Sequence, residues 1–249
     1  MNMRILDRGY IFPGIIALSI LFSTLIIAGA YKYKFKDRKR VLVTGMAEKN
    51  FVSDLIVWQG DYSRVSMDLK QAYANLKKDE GAIRAYLQQK GLSNNETVFS
   101  AVSINKLYNP VYDQNGRLLS NAFNGYSLTQ NVKVESKSID KVEKISREIT
   151  ELIQSGIELN SFAPSYYYTK MSELKIDLLA KASKDAKDRA QSITENAGSN
   201  LGDLKYANMG VFQITGQNSN ENFSYGGTFN TSSKNKTASI TLRTEYEVK

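Results

Sequence analysis

The sequence predicts an α+β fold, a mostly antiparallel sheet with helices packed on one side, preceded by one N-terminal transmembrane helix. Three observations support this prediction. Residues 11–30 carry no charged side chain. Beyond residue 40, segments in which apolar and polar residues alternate occur beside segments in which apolar residues recur every three or four positions. The predicted strands mostly come as neighbouring pairs rather than singly between helices, which favours antiparallel pairing.

The uncharged run predicts a membrane anchor over residues 10–31, after a short N-terminal tail of residues 1–9. About 20 apolar residues in a helix cross roughly 30 Å of hydrocarbon. A cleaved signal peptide is the alternative, because Ala28, Gly29 and Ala30 are small residues of the kind that signal peptidase accepts. The run is longer than the apolar core of a usual signal peptide, which favours the anchor.

A basic segment, residues 32–40, follows the anchor. It carries +5 of the formal net charge of +8. We predict that it contacts anionic lipid headgroups, at about 1 kcal/mol per basic residue. Its basic residues are Lys32, Lys34, Lys36, Arg38, Lys39 and Arg40. Residues 41–249 form the predicted domain, which is close to neutral, so a nucleic-acid partner is not expected.

The composition argues against an enzyme. The chain has no His and no Cys, which excludes nucleophile systems built on His or Cys and essentially all zinc sites. It also lacks the glycine-rich phosphate-binding loops of nucleotide-binding proteins. We therefore predict no catalytic residue, no cofactor and no metal site.

The first half of the domain reads as hairpin, helix and hairpin. Residues 41–62 predict a β-hairpin that turns at residues 48–50. Residues 64–90 predict a helix that ends before Gly91 and that Gly81 could divide. Strands are then predicted over residues 97–108 and 124–135, joined by a turn that contains Asn115 and Gly116.

The second half alternates helices with short strands. A helix is predicted over residues 139–155, a short strand over 157–169 and a longer helix over 171–197. Two strands, 204–216 and 237–248, end the chain and flank a loop of about 20 residues. The longer helix carries one apolar stripe, which predicts a close-packed seam. Its members are Met171, Leu174, Leu178, Ala182, Ala186, Ala190, Ile193 and Ala197.

Taken together, these segments resemble the SIMPL-domain family of bacterial envelope proteins. The matching segments are Val43-Thr44-Gly45 with Ser53-Asp54-Leu55, residues 98–103, 124–130 and 152–157, the helix over 182–198, and Leu201-Gly202. Their order and spacing cover nearly all of residues 41–248. The resemblance implies an extracytoplasmic, non-catalytic α+β domain, often linked to tolerance of envelope or oxidative stress, with no catalytic residues to carry over. Family members commonly have Pro-Asp where this chain has Ser53-Asp54.

The location is predicted from two arguments that disagree. Six basic residues follow the apolar run and two precede it, which by the positive-inside rule would leave the domain in the cytoplasm. The family resemblance implies a periplasmic domain. We predict a single-pass protein of the bacterial inner membrane with a periplasmic domain, and the charge count opposes that orientation.

Five aromatic residues are candidate partner contacts: Tyr166, Tyr168, Phe223, Tyr225 and Phe229. For the tyrosines, ordinary core and surface positions are the simpler interpretation. The loop over residues 217–236 is either a disordered tip or an ordered contact with a neighbouring subunit, since long loops are usually functional or disordered. The one tryptophan, Trp58, is expected in the core.

Three functions fit these observations. The leading one is a membrane-anchored scaffold of the envelope that assembles into a homo-oligomer. The second is a monomeric binding module, and the third is an accessory subunit of a larger membrane complex. The partners expected are the lipid bilayer, further copies of the chain and an envelope protein.

Overall fold

The computed structural model describes residues 8–34 and 39–249. Lys36 and Arg38 of the predicted basic segment lie outside the described residues, as does most of the predicted N-terminal tail. The helices are α1 (Arg8–Lys34), α2 (Leu69–Gln89), α3 (Ile139–Glu148) and α4 (Met171–Asn196). The strands are β1 (Arg40–Val52), β2 (Leu55–Ser66), β3 (Thr97–Phe99), β4 (Ser103–Tyr112), β5 (Leu118–Ser136), β6 (Leu159–Ser161), β7 (Ser165–Tyr167), β8 (Leu201–Met209), β9 (Gln213–Gly216) and β10 (Asn235–Val248).

Helix α1 contains the predicted apolar run. Its segment Phe12–Tyr33 has a mean hydropathy of 2.1, and none of that segment is buried against the rest of the described chain. By length and composition, α1 is able to cross a membrane. A retained anchor and a signal sequence both satisfy this test.

The predicted α+β class is confirmed, but the strands form two sheets. One is four-stranded, with the order β1-β10-β8 and with β9 also paired to β10. The other is six-stranded, with the order β3-β5-β2-β6. In addition, β4 pairs with β5, and β7 pairs with β2. The long central pair of this second sheet runs antiparallel from Ile56 opposite Ser136 to Ser66 opposite Tyr126.

The chain divides into two compact units. The larger one comprises Thr44–Ala186 and Met209–Leu242. The smaller one combines the described residues before Thr44 with Lys187–Asn208 and Arg243–Lys249. Within the smaller unit, the main-chain N–H and C=O groups of Asn200 and Lys249 bond each other at 2.9 and 2.8 Å.

The predicted hairpin over residues 41–62 is wrong, because β1 and β2 belong to different sheets. No turn forms at residues 48–50, and β1 continues to Val52. The chain changes sheets at Ser53 and Asp54, whose main-chain N–H groups donate to the carbonyls of Lys234 and Tyr167, both at 3.0 Å. The Asp54 carboxylate accepts hydrogen bonds from N and Oγ1 of Thr169, both at 2.7 Å. These bonds fix the junction where a hairpin turn would otherwise reverse the chain.

Helix α2 begins later than predicted, and Gly81 does not divide it. β2 continues through Ser66, and Asp68 caps the helix by accepting a hydrogen bond from Lys70 N at 2.7 Å. An Asp side chain at this position satisfies main-chain N–H groups that lack partners within the helix. Gly91, just beyond the helix, has φ +84°, as the sequence suggested.

Four other predicted segments are divided. The strand over residues 97–108 is interrupted at residues 100–102, where Gln130 donates from Nε2 to Ser100 O at 2.9 Å. The short strand over 157–169 becomes β6 and β7, and the strand over 204–216 becomes β8 and β9. The helix predicted over 139–155 is α3 followed by a 3₁₀ segment, Ile149–Ser155, which ends at Gly156 with φ +76°.

Trp58 lies at the centre of the larger core, as predicted. It is completely buried between the six-stranded sheet and helices α2 and α3. Its Nε1 donates to Ser161 Oγ at 2.9 Å, and that hydroxyl in turn donates to Ser146 O at 2.7 Å. The buried Gln130 side chain is also satisfied, because its Oε1 accepts from Tyr62 Oη at 2.7 Å. The alternation predicted for residues 124–135 is therefore preserved with one polar member.

A second core forms where α4 covers the four-stranded sheet, with Leu178 and Ala182 against Ile240 and Leu242. Ala182, Ala186 and Ala190 are completely buried, as the apolar stripe predicted. The stripe then departs from the prediction. Ile193 is exposed and Thr194 is buried instead, with its Oγ1 donating to Ala190 O at 3.1 Å.

Acidic residues of α4 have partners on the same helix and on β1. Asp177 pairs with Lys181 at 3.0 Å. Asp185 accepts a hydrogen bond from Met46 N, in β1, at 2.8 Å. An unpaired edge strand attracts other chains, and this carboxylate covers one donor of that edge.

The alanine stripe allows unusually close contact between α4 and β1 at Gly45. A Cβ atom placed on Gly45 would lie 2.3 Å from Ala182 O and 2.5 Å from Ala186 N. Neither atom belongs to a flexible side chain. A side chain at residue 45 therefore requires the helix to move away from the strand.

We expect Gly45→Ala to destabilise the protein by about 1–3 kcal/mol or more, because overpacking of a fixed backbone has this cost. Gly81→Ala is the matched control, since nothing lies within 4 Å of its added Cβ in the exposed interior of α2. We expect that variant to be more stable than wild type by roughly 0.5–1 kcal/mol. Chemical denaturation measures both, and equal stabilities for the two variants would contradict the close contact.

Candidate interaction surfaces

A two-stranded arm extends from the six-stranded sheet. β5 is longer than its neighbour β2, and the pairing of the two ends at Ser66 and Tyr126. Beyond that point, in the described part of the chain, residues 118–125 of β5 pair with β4 alone. We call residues 107–125 the arm.

The arm carries large apolar side chains in contact with solvent. Tyr108 and Phe123 pack edge to face with ring centroids 5.9 Å apart, and Phe123 also contacts Tyr126 at 5.1 Å. Side chains two positions apart along a strand share a face. The arm's large exposed apolar residues are Tyr108, Val111, Tyr112, Leu118, Leu119 and Phe123.

At the base of the arm, the backbone at Gly125 passes close to the backbone at Ser66. Gly125 has φ +112°, a value that residues with a side chain rarely adopt. A Cβ atom there would lie 2.8 Å from Ser66 O. The pairing of β4 with β5 is also irregular at this point, between Leu107 and Tyr108. A glycine and a bulge together direct the arm away from the sheet.

The tip of the arm is polar and well ordered. The Asp113 carboxylate accepts hydrogen bonds from Asn115 N and Arg117 N, both at 2.8 Å. Gly116 occupies the left-handed conformation with φ +77°, as expected for the predicted Asn-Gly turn. The apolar residues thus lie along the sides of the arm, behind a tip that contains a carboxylate.

A cleft of about 420 Å³ forms the second surface. Its walls are mostly apolar. Two of the lining residues, Phe223 and Tyr225, carry large aromatic rings that are exposed to solvent. β1 and β10 contribute the remaining wall and the floor. The lining residues are Met46, Val211, Gln213, Phe223, Ser224, Tyr225, Ser239, Ile240 and Thr241.

Gln213 holds the rim of the cleft in place. The side chain is buried, and its Nε2 donates to Ser224 O at 2.8 Å. Its Oε1 accepts from Ser224 N at 3.3 Å and from Thr228 N at 2.7 Å. Phe223 and Tyr225 flank the residue that is clamped in this way. Their exposure therefore belongs to a fixed loop.

The loop over residues 217–236 folds back on its own chain. Phe229 forms a parallel bridge with Ile214, and Thr231 O accepts from Tyr166 N at 2.7 Å. Glu221 accepts from Gly216 N at 2.9 Å and from Asn230 Nδ2. These hydrogen bonds hold the pKa of Glu221 below its usual range.

Lys236 is buried beneath this loop. Its Nζ donates to the main-chain carbonyl of Asn230 and, at 3.3 Å, to Asn230 Oδ1. Burial lowers the pKa of Lys236 to about 8, and the nearby Glu221 carboxylate opposes this shift. The ammonium group is buried, and the two Asn230 oxygens that it contacts carry no charge. The attachment of the loop at Lys236 is therefore sensitive to pH.

The other candidate contact residues have partners within the domain. Tyr166 is half-buried against the larger core, and its Oη donates to Glu143 Oε1 at 2.9 Å. Tyr168 packs on Phe51 with ring centroids 4.8 Å apart. Phe229 is exposed on the loop. The arm and the cleft therefore present more accessible apolar surface than the two tyrosines do.

The basic segment is described only in part. Lys32 lies in α1 and is exposed, and Lys39 is also exposed. Lys34 ends α1, and Arg40 begins β1 and donates to Glu245 Oε1. In the described residues, no group of three or more acidic side chains is arranged to hold a metal ion.

Phe223 and Tyr225, two of the predicted partner contacts, line the cleft, and their role as contacts stays a prediction. The arm was not predicted from the sequence. Residues 110–121 were assigned to a connection, whereas β4 and β5 continue to within five residues of each other. The exposed apolar residues of the segment were the available signal. The cleft was missed because Met46, Val211 and Gln213 are distant in sequence and meet only in the fold.

We expect the stability of the protein to rise with pH as Lys236 loses its proton. The pKa of this lysine is about 8 in the folded chain and has its ordinary value, 10.5, when unfolded. Between these values the unfolded chain binds more protons, so the folded state gains stability as the pH increases, by roughly 2 kcal/mol at pH 9.5. Lys236→Met should lose this gain.

Urea denaturation at pH 7 and at pH 9.5 measures the effect as the difference between wild type and Lys236→Met at each pH. The exposed Lys187→Met is the control. Other lysines and tyrosines contribute equally to all three proteins and cancel. If the stabilities of wild type and Lys236→Met changed in parallel with pH, Lys236 would not be buried as described.

The comparison with known families agrees with the resemblance seen in the sequence. The model of the SIMPL family, described as proteins of unknown function (DUF541), matches residues 41–247. No curated protein matches the chain. The matched range begins at β1, ends within β10 and contains both the arm and the cleft. Since this match covers most of the sequence, the chain belongs to the SIMPL family.

Proposed function

We propose that this protein is a non-catalytic, membrane-anchored scaffold of the bacterial envelope that assembles into a homo-oligomer. The observation that carries the proposal is the arm. Its six large apolar side chains are between 40% and 66% exposed, and exposed apolar side chains that cluster in this way mark interaction sites.

A second argument is that the arm lacks support. A two-stranded hairpin is only marginally stable in water by itself. In the described residues nothing pairs with the outer edge of β5 along residues 118–125. A partner that covers the arm would stabilise it and remove its apolar surface from water.

The anchor favours a second copy of the chain as that partner. If α1 is retained, every copy lies at the same membrane, which raises its effective concentration for its neighbours. The basic residues after α1 would add attraction to anionic headgroups. A link to envelope or oxidative stress is supported by the family resemblance alone.

The domain is proposed to lie in the periplasm. The family resemblance supports this location, and the excess of basic residues after α1 opposes it. Orientation is therefore tested by an experiment on spheroplasts rather than by a further charge count.

We expect the mature protein to retain residues 10–31 and to expose its domain outside the inner membrane. Intact mass of the purified protein tests retention, and a chain that begins at Tyr31 would identify a signal peptide. Protease added to spheroplasts tests orientation, because a periplasmic domain is digested without lysis. Protection until the membrane is broken would place the domain in the cytoplasm.

We expect the full-length protein in detergent to be an oligomer. The double variant Leu118→Ser with Leu119→Ser should raise its dissociation constant at least about tenfold, equivalent to 1.4 kcal/mol. Both side chains are exposed on the arm, so the fold of the single copy should not change. Ile176→Ser is the control, because Ile176 is 71% exposed on α4, compared with 57% for Leu118. Light scattering over a dilution series measures the dissociation.

A monomeric wild type would reject the scaffold and favour the binding module, for which the cleft is the candidate site. An oligomer that the arm variant and the control leave equally stable would show that the arm is not a contact. A different protein that copurifies in a fixed ratio would instead support the accessory-subunit function.

A further inference from the structure

We propose that the arm of one copy binds in the cleft of a neighbouring copy, so that Phe223 and Tyr225 receive the apolar side of Tyr112 and Leu118. This inference rests on the proposed self-assembly and names the two surfaces that meet. The contact is heterologous, since each copy contributes a different surface to each interface.

The first support is that the cleft is formed before any partner arrives. Gln213 makes three hydrogen bonds to the loop that carries the two rings. A buried amide that fixes its neighbours removes the cost of ordering them when a partner binds. Aromatic residues are typical of those that dominate binding energy, and here the main chain between the two rings is fixed.

The second support is chemical complementarity. The walls of the cleft are mostly apolar, with polar groups at Ser224, Ser239 and Thr241. The arm presents apolar side chains along its length and a hydrogen-bonding turn, Asp113–Arg117, at its tip. An apolar centre with a polar rim is the usual composition of an interface between proteins.

The third support concerns what else could cover the arm. A lipid bilayer is a poorer match than a protein surface, because the tip contains the charged residues Asp113 and Arg117. A carboxylate is costly to place in hydrocarbon. In the described part of the chain, no hydrogen bond or ring contact joins the arm to the cleft of its own copy. A neighbouring copy supplies both missing partners at once.

The absence of cysteine from the chain provides a direct test. Full-length Leu118→Cys and Tyr225→Cys proteins are mixed in detergent and oxidised, and disulfide-linked dimers are resolved by mass. Disulfides form only where Cα atoms approach within about 7 Å. We expect dimers that contain one copy of each variant. Tyr73→Cys, on the exposed side of α2, replaces Tyr225→Cys in the control and should give no dimer with Leu118→Cys.

Dimers that contain only Leu118→Cys copies would overturn the inference, because they would show that arms meet each other. Phe223→Ser with Tyr225→Ser should weaken the oligomer about tenfold, as the arm variant does. If this cleft variant assembles like wild type while the arm variant does not, the scaffold stands and the cleft is not its receptor. If wild type is a monomer, the scaffold and the inference fail together. Binding of the arm to lipid vesicles, lost in Leu118→Ser with Leu119→Ser, would also overturn it.

Discussion

The passage of the chain from one sheet to the other at Ser53 and Asp54 is the constraint on which the rest of the larger unit depends. One continuous extended segment enters both sheets, so each sheet acquires its own helices and its own core. Asp54 fixes the start of α4 through Thr169, and Ser53 bonds to Lys234 at the end of the long loop. Two main-chain bonds and one carboxylate thus tie together β7, α4 and the loop that forms the rim of the cleft. A substitution that broke these hydrogen bonds would disturb all three elements at once.

The arm follows from a difference in strand length. β2 must end at Ser66 because Asp68 begins α2, whereas β5 has no helix at its N-terminal end and continues past the sheet. Gly125 permits the backbone to pass close to Ser66 at this point. The arm is therefore a consequence of the capped helix beside it. Its apolar residues are not needed by either core, which makes their exposure costly for an isolated monomer and useful for a contact.

Local patterns predicted most elements, and long-range pairing decided the errors. The α+β class, α4 with its alanines, the buried face of β5 and the Asn115-Gly116 turn all follow from spacing that a single segment contains. The sheet assignment of β1 does not, because its alternation is satisfied equally by β2 or by β10. Thr194 replaced Ile193 in the buried stripe because four-residue spacing continued from Ala190 and the hydroxyl found a carbonyl. Phe223 and Tyr225 could be named as candidate contacts from the sequence, and that role stays a prediction, whereas the hydrogen bonds of Gln213 that fix their loop depend on the fold.

If α1 is retained as the proposed anchor, the membrane limits which assemblies an arm and a cleft can build. Copies anchored from the same side of one bilayer can be related only by rotation about an axis perpendicular to the membrane, since a twofold axis in the membrane plane would place one anchor on the wrong side. A heterologous contact repeated about such an axis closes into a ring if the angle permits, and otherwise continues as an open chain. Every copy in a ring has its arm covered and its cleft filled. In an open chain one arm and one cleft stay exposed at the ends. Burial of the last apolar surface therefore favours the closed ring, and the angle between arm and cleft sets the number of subunits.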